Sequence, residues 1–307
     1  MAKYGKLRTF LENAAAKSVL TTLGQLPAPV AYSAGRGMGK IAYLLARNLR
    51  RTGATNLRLA FPEKSDEERA QLLRECFDSL GRQLGLFSQM SSRSGDELKQ
   101  LIEVRGWENL EAAVAGHGQK LVLYTGHLGA WELTSFGFSL LGHRVTFLVR
   151  RIDNPRIEGM VERVRAKFGN TTIDKLSAAR SMLKILRSGE TSIGLLPDLN
   201  TLEDEAIFVD FFGVPAATTF VVAKMALRTQ TPIIPVFSPW SAETGKYLII
   251  VEPLISVETT GDEEADVRRV TTEITRRVEN QIRQYPGQWL SIHKRWKTRP
   301  PGESPIY

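Results

Sequence analysis

The chain has 307 residues, 42% hydrophobic and 24% charged, with a formal net charge of +8 and an isoelectric point near 9.6. These values suit one large α/β domain or two small ones with a sizeable core, and they exclude low-complexity and solenoid-repeat chains. A basic surface attracts phosphate, in nucleic acid and anionic lipid alike, and a single cysteine, Cys76, excludes an intramolecular disulfide.

The longest apolar stretch near the start, Ser18 to Ala46, is interrupted by Gln25, Pro27, Pro29, Arg36 and Lys40. It falls short of the ~20 consecutive apolar residues of a membrane span, and it lacks the compact apolar core and small-residue site of a cleaved signal. Within it, Ile41, Leu44, Leu45 and Leu49 recur at helical spacing among Lys40, Arg47, Arg50 and Arg51. That pattern fits a helix lying in a membrane interface, or one turned towards the core. Residues 1–105 read as helical. Ser65 followed by Glu68 predicts a capped helix start, continuing through Leu72, Leu73, Cys76, Phe77 and Leu80.

From Lys120 the pattern changes. Apolar runs at 120–124, 144–149, 191–196, 233–237 and 247–251 alternate with helical segments at about 130–141, 155–168, 177–188, 216–229 and 264–284. This alternation predicts an α/β fold with a largely parallel central sheet flanked by helices. The expected organisation is a helical N-terminal region, 1–105, and an α/β core, 106–307, forming one continuous domain.

Sites in such sheets form beyond the carboxyl ends of strands. The stretch Tyr124-Thr125-Gly126-His127-Leu128-Gly129-Ala130-Trp131-Glu132 occupies one such end. A carboxylate on one imidazole nitrogen fixes the tautomer, leaving the other nitrogen to take a proton from a hydroxyl. His127 is therefore a candidate general base, and Glu132, one turn and a half later, a candidate to orient it. Gly129 and Ala130 leave room for a substrate. Residues i and i+5 make a poor metal pair, and His117, His143 and His293 form no ligand cluster with them. Phosphate-loop, dinucleotide and nucleophile-elbow motifs are missing from the sequence.

The stretch Thr125 to Glu132 resembles the HX4(D/E) block of the bacterial lipid A biosynthesis acyltransferases, the late acyltransferases that add secondary acyl chains. Further blocks follow the order of that family. They are Asn56 to Pro62 ("NLRLAFP"), Phe147 to Arg151 with Asp153-Asn154-Pro155, Leu196 to Asn200, Phe208 to Ala216, and Ile292 to Pro300. The resemblance covers about residue 55 to the end. It departs from the family at the start, where a clear membrane helix is usual, and at Asn200, where a second acid is usual.

The resemblance implies transfer of a fatty acyl group from acyl carrier protein or coenzyme A to a hydroxyl of a glycolipid, with no further cofactor, no metal and no nucleic-acid partner. It places the protein at the cytoplasmic face of the inner membrane, held peripherally or monotopically on an anionic surface. His127 is then the base and Glu132 its orienter. Arg150 and Arg151 are candidates to bind a phosphate of the acceptor or of phosphopantetheine. Asp198, with Asn200 beside it in the same turn, is a second candidate to orient His127 or to bind sugar hydroxyls. Phe208, Phe211 and Phe212 read as core or as the wall of an acyl-chain slot. In the tail, Lys294, Arg295, Lys297 and Arg299 with Trp289 and Trp296 read as suited to a bilayer surface, where basic groups meet lipid phosphates and Trp sits at the interface, and they also resemble a nucleic-acid patch.

Overall fold

A computed structural model describes residues 6–174 and 178–307. The N-terminal region consists of α1 (Lys6–Gln25), α2 (Ala28–Leu45), α3 (Arg47–Ala60), α4 (Asp66–Ser92) and the short α5 (Gly95–Lys99). The start of α4 carries the expected reciprocal cap: Ser65 Oγ accepts from the Glu68 amide, and Glu68 accepts from the Ser65 amide. α2 and α4 touch backbone to backbone. A Cβ on Gly35 would lie 2.1 Å from the Gly81 carbonyl oxygen, so only glycine permits this crossing.

Strands and helices then alternate: β1 (Ile102–Arg105), α6 (Trp107–His117), β2 (Val122–Tyr124), α7 (Trp131–Leu140), β3 (Val145–Val149), α8 (Pro155–Arg165) and β4 (Thr171–Asp174). There follow α9 (Ala178–Ser188), β5 (Ser192–Leu195), β6 (Ala206–Phe211), β7 (Val214–Thr219), α10 (Val221–Thr229), β8 (Ile233–Phe237), β9 (Trp240–Ser241), β10 (Lys246–Val251) and α11 (Glu263–Gln284). The main sheet runs β1-β10-β8-β2-β5-β3-β4, with β9 on β10. Its pairs are parallel except where β10 meets β8 and β9. The fold is thus α/β with a largely parallel central sheet, as the alternation predicts.

Three local readings need correction. The segment 102–105 is a strand rather than helix, pairing in parallel with β10 and so tying the end of the N-terminal region into the main sheet. The expected helix 216–229 begins only at Val221, because Val214–Thr219 forms a hairpin with Ala206–Phe211. The hairpin turn is Phe212-Gly213, both at positive φ (55° and 73°), the geometry that matches the twist of paired strands. Finally, the apolar helix expected around residues 41–49 is broken at Ala46 into α2 and α3, with Arg50 donating to the carbonyls of Tyr43 and Leu44 at the end of α2.

The sheet has a core on each face. Val122 and Tyr124 of β2 point to one side, with Ile193, Leu195, Val270 and Ile274, whereas Leu123 points to the other, with Leu133, Phe136 and Val236. Burial on both faces explains why β2 reads as a continuous apolar run rather than an alternating one.

Candidate active site

β2 and β5 are parallel neighbours, paired Val122 with Ile193 through Tyr124 with Leu195. The loops leaving their carboxyl ends therefore emerge side by side, one carrying His127 and the other Asp198. Asp198 Oδ1 lies 2.7 Å from His127 Nδ1, and Asp198 Oδ2 accepts the His127 backbone N–H at 2.7 Å. This double contact fixes both the ring and the backbone of residue 127. Gly126 makes room for it, since a Cβ there would stand 3.3 Å from Asp198 Oδ2. Asp198 is buried. Burial opposes its charge, but the His127 ring, the His127 amide and the Arg295 cation outweigh that, holding the carboxyl below the usual aspartate range. An ionised Asp198 on Nδ1 makes that nitrogen the N–H and leaves Nε2 with a lone pair, the tautomer a base needs.

The carboxylate bonded to the His127 ring is Asp198, and Glu132 is held by Arg165. α7 begins at Trp131, so Glu132 sits in its first turn and faces α8, where Arg165 grips it with two bonds: Nε to Oε2 at 3.0 Å and Nη2 to Oε1 at 2.6 Å. Burial opposes the charge of Arg165, and Glu132 with Glu162 and Glu158 more than restores it. Trp131, in contrast, stays beside the base, its ring centroid 5.0 Å from that of His127.

The His127 loop is fastened along its length. Thr125 N–H donates to Leu195, Gly129 N–H to Gln288, Ala130 N–H to Ser238, and the His127 carbonyl accepts from Leu290. Gly129, at φ 57°, admits the Ser238 carbonyl 2.2 Å from where a Cβ would stand. Part of the tail expected at a bilayer surface packs against this loop, while Lys294 and Lys297 stay exposed. Trp289 and Trp296 are buried, and Arg295 is only 2% exposed. Arg295 donates to the Ala217 carbonyl and to Thr218 Oγ1, and its guanidinium lies 5.0 Å from the Phe211 ring centroid. Burial pulls its pKa down to about 10, with Asp198 opposing, so it stays a cation at neutral pH.

His127 opens into a cavity of about 820 Å³ that also takes in Glu132, Arg150, Arg165, Arg180 and His293. Leu148, Val149, Met182, Leu196 and Val221 give it an apolar side. Arg150 and Asn200 line it, and Asn200 also bonds Thr298 and so pins the turn to the tail. Arg151 points elsewhere: its guanidinium is shared by Glu158 at 3.1 Å and Asp174 at 3.7 Å. Phe211 and Phe212 are packed core, with Phe212 stacked on Trp289 and Phe211 against Trp296; neither they nor Phe208 face the cavity. Among the described residues no cluster of His, Cys, Asp and Glu could hold a metal ion.

Sequence reasoning missed Arg165, Arg180, His293 and the inward turn of Arg295. His293 and Arg295 sit in a block already singled out, but their charge pointed towards solvent. Arg165 and Arg180 lie on helices with nothing in their neighbourhood to mark them.

The site can remove a proton from a hydroxyl brought to His127 Nε2 beside a cationic, half-apolar cavity. The family model of the bacterial lipid A biosynthesis acyltransferases matches residues 2–298. A lipid A biosynthesis acyltransferase of Haemophilus influenzae is 28% identical, covering 84% of this chain and 79% of its own. The lipid A biosynthesis lauroyltransferase of Escherichia coli K12 is 27% identical, covering 92% and 90%, and the myristoyltransferase of the same organism 24%, covering 88% and 82%. The chain belongs to the bacterial lipid A biosynthesis acyltransferase family, and it is an acyltransferase.

Proposed function

We propose that this enzyme transfers a fatty acyl chain from an acyl thioester, on acyl carrier protein or coenzyme A, to a hydroxyl of a lipid A precursor. The observation that carries the reading is the His127–Asp198 pair at the edge of the 820 Å³ cavity. His127 Nε2 takes the hydroxyl proton as the oxygen attacks the thioester carbonyl. The tetrahedral intermediate then expels the thiolate, which recovers that proton from His127. No acyl-enzyme and no cofactor are needed. The acyl chain lies along the apolar side of the cavity, and Arg150 and Arg180, exposed at its rim, meet phosphate on the acceptor or donor. The test is direct. Purified protein, lipid A precursor and mixed acyl thioesters should give an acceptor heavier by one acyl chain in mass spectra. Acylation of some other glycolipid or an aminolipid, with none of the precursor, would keep the chemistry and reject the acceptor. A protein that binds membranes or nucleic acid and acylates nothing would reject the reading.

The same reading places the protein at the cytoplasmic face of the inner membrane. No helix among the described residues is long and apolar enough to cross a membrane. The corner between α2 and α3 instead presents Ile41, Leu44, Leu45 and Leu49, with Leu44 and Leu45 70% and 79% exposed, beside Lys40, Arg47 and Arg51. An apolar tip ringed by cations suits an anionic interface, where burying one leucine contributes about 1.5–3 kcal/mol. The double variant Leu44→Glu, Leu45→Glu is expected to lose at least ~10-fold in co-sedimentation with anionic vesicles while keeping its melting temperature. Unchanged binding would place the contact surface elsewhere on the molecule.

A further inference from the structure

His293 has no role in the mechanism above, yet it lines the same cavity as His127. It is near enough to feel the charges of His127, Asp198, Arg295 and Lys297. Its position is fixed by the backbone on which it sits. Asn56, held by Tyr307, donates to the carbonyls of both Ser291 and His293, and Leu290 donates to the His127 carbonyl. The His293 ring, by contrast, makes no hydrogen bond with the described residues, and its Nδ1 is sealed from solvent without a partner.

The sealed atom decides the tautomer. A buried N–H without an acceptor is rarer and costs more than a buried lone pair. Nδ1 therefore carries the lone pair and Nε2 the proton. Protonating the ring would add the missing N–H at Nδ1, with no acceptor to receive it. Burial, and then the proximity of His127, lower the pKa of His293, with Asp198 opposing and Arg295 and Lys297 adding to the lowering. A neutral imidazole with one outward N–H, fixed beside a general base, suits an oxygen that gains negative charge during the reaction.

We propose that His293 is a second catalytic histidine, whose Nε2–H donates a hydrogen bond to the carbonyl oxygen of the acyl thioester as the tetrahedral intermediate forms. The inference rests on the acyl-transfer reading. In it His127 moves the proton and His293 moves none: it holds the oxyanion while the C–O bond forms and the C–S bond breaks.

The test follows thiol release from an acyl thioester in the presence of the acceptor, using the full chain. Removing one oxyanion donor costs about 10²–10³ in kcat, so His293→Ala should lose about that factor with KM for the thioester nearly unchanged. His293→Gln returns an N–H near the same place and should recover at least ~10-fold of the loss. The pH profile of kcat should keep both limbs in His293→Gln, because the neutral ring does not titrate during turnover. A His293→Ala variant with wild-type kcat, a Gln variant no better than Ala at equal thermal stability, or a limb lost with His293 would each overturn the proposal. Wild-type protein that releases no thiol with any acceptor would overturn the acyl-transfer reading and this inference together, which separates that failure from the others.

Discussion

His127→Ala is expected to lower acyl transfer by about 10²–10⁴ without unfolding the protein, the range that a positioned general base contributes. An alcohol attacks a thioester slowly unless its proton leaves as the C–O bond forms, and Nε2 of His127, with Nδ1 held by Asp198, is placed to accept it. The side chain is 16% exposed at the cavity edge, its ring tilted 55° to that of Trp131, so alanine leaves only a small void. The His127 amide still donates to Asp198 in the variant, because that bond needs no side chain. The measurement is initial rate with purified enzyme, alongside a melting curve. Near-wild-type turnover in a folded His127→Ala protein would remove the base from the mechanism, whatever else of the site survived.

Asp198→Asn should cost as much, on the order of 10³–10⁴ in kcat, by inverting a tautomer. Asparagine can keep its oxygen on the His127 amide, but its NH₂ then faces Nδ1 as a donor. Nδ1 must offer a lone pair, the proton moves to Nε2, and the base is blocked at the atom where it is needed. Shape is nearly conserved, so a merely structural Asp198 predicts a small effect. Glu132→Gln makes the contrast. It weakens the two-bond clasp on Arg165, whose side chain is only 13% exposed, and leaves that cation short of negative charge. The expected loss is about 1–3 kcal/mol of stability, or roughly 2–4 °C in melting temperature per kcal/mol, with a smaller effect on kcat than Asp198→Asn. A silent Asp198→Asn beside an inactive Glu132→Gln would return the orienting role to Glu132.

β2, β3, β5, β8 and β10 were legible as short apolar runs between helical segments, and the parallel sheet follows from that alternation; β4, β9 and α6 were not, being short or weakly apolar. His127 was legible for the same reason: a polar residue just past a fully buried strand is placed by local sequence. The hairpin of β6 and β7 was not, since Val214 to Thr219 pairs with a strand before it rather than continuing into the helix after it. Ala216 and Ala217 suit helix as well as strand, and only the positive φ at Phe212 and Gly213 decides between them.

The partner of the base shows the limit most clearly. Sequence spacing puts Glu132 five positions from His127 and Asp198 seventy-one positions away, and nearness in the chain favours the first. Parallel pairing of β2 with β5 brings the distant loop alongside, while the onset of α7 at Trp131 commits Glu132 to Arg165. The tail reverses in the same way. Lysines, arginines and tryptophans in one short stretch read as a surface, yet Arg295 and Trp296 are buried. A buried cation requires acceptors and a counter-charge around it, and these come from β7 and from Asp198, far away in sequence. The sequence by itself determined the α/β alternation, the resemblance to a block-ordered family and the placing of His127 at a strand end, all of which depend on residues close together in the chain. The acid that bonds His127, the clasp on Glu132 and the inward turn of Arg295 and Trp296 were decided only by tertiary structure, because each depends on which strand ends become neighbours, and pairing between strands is not a local property.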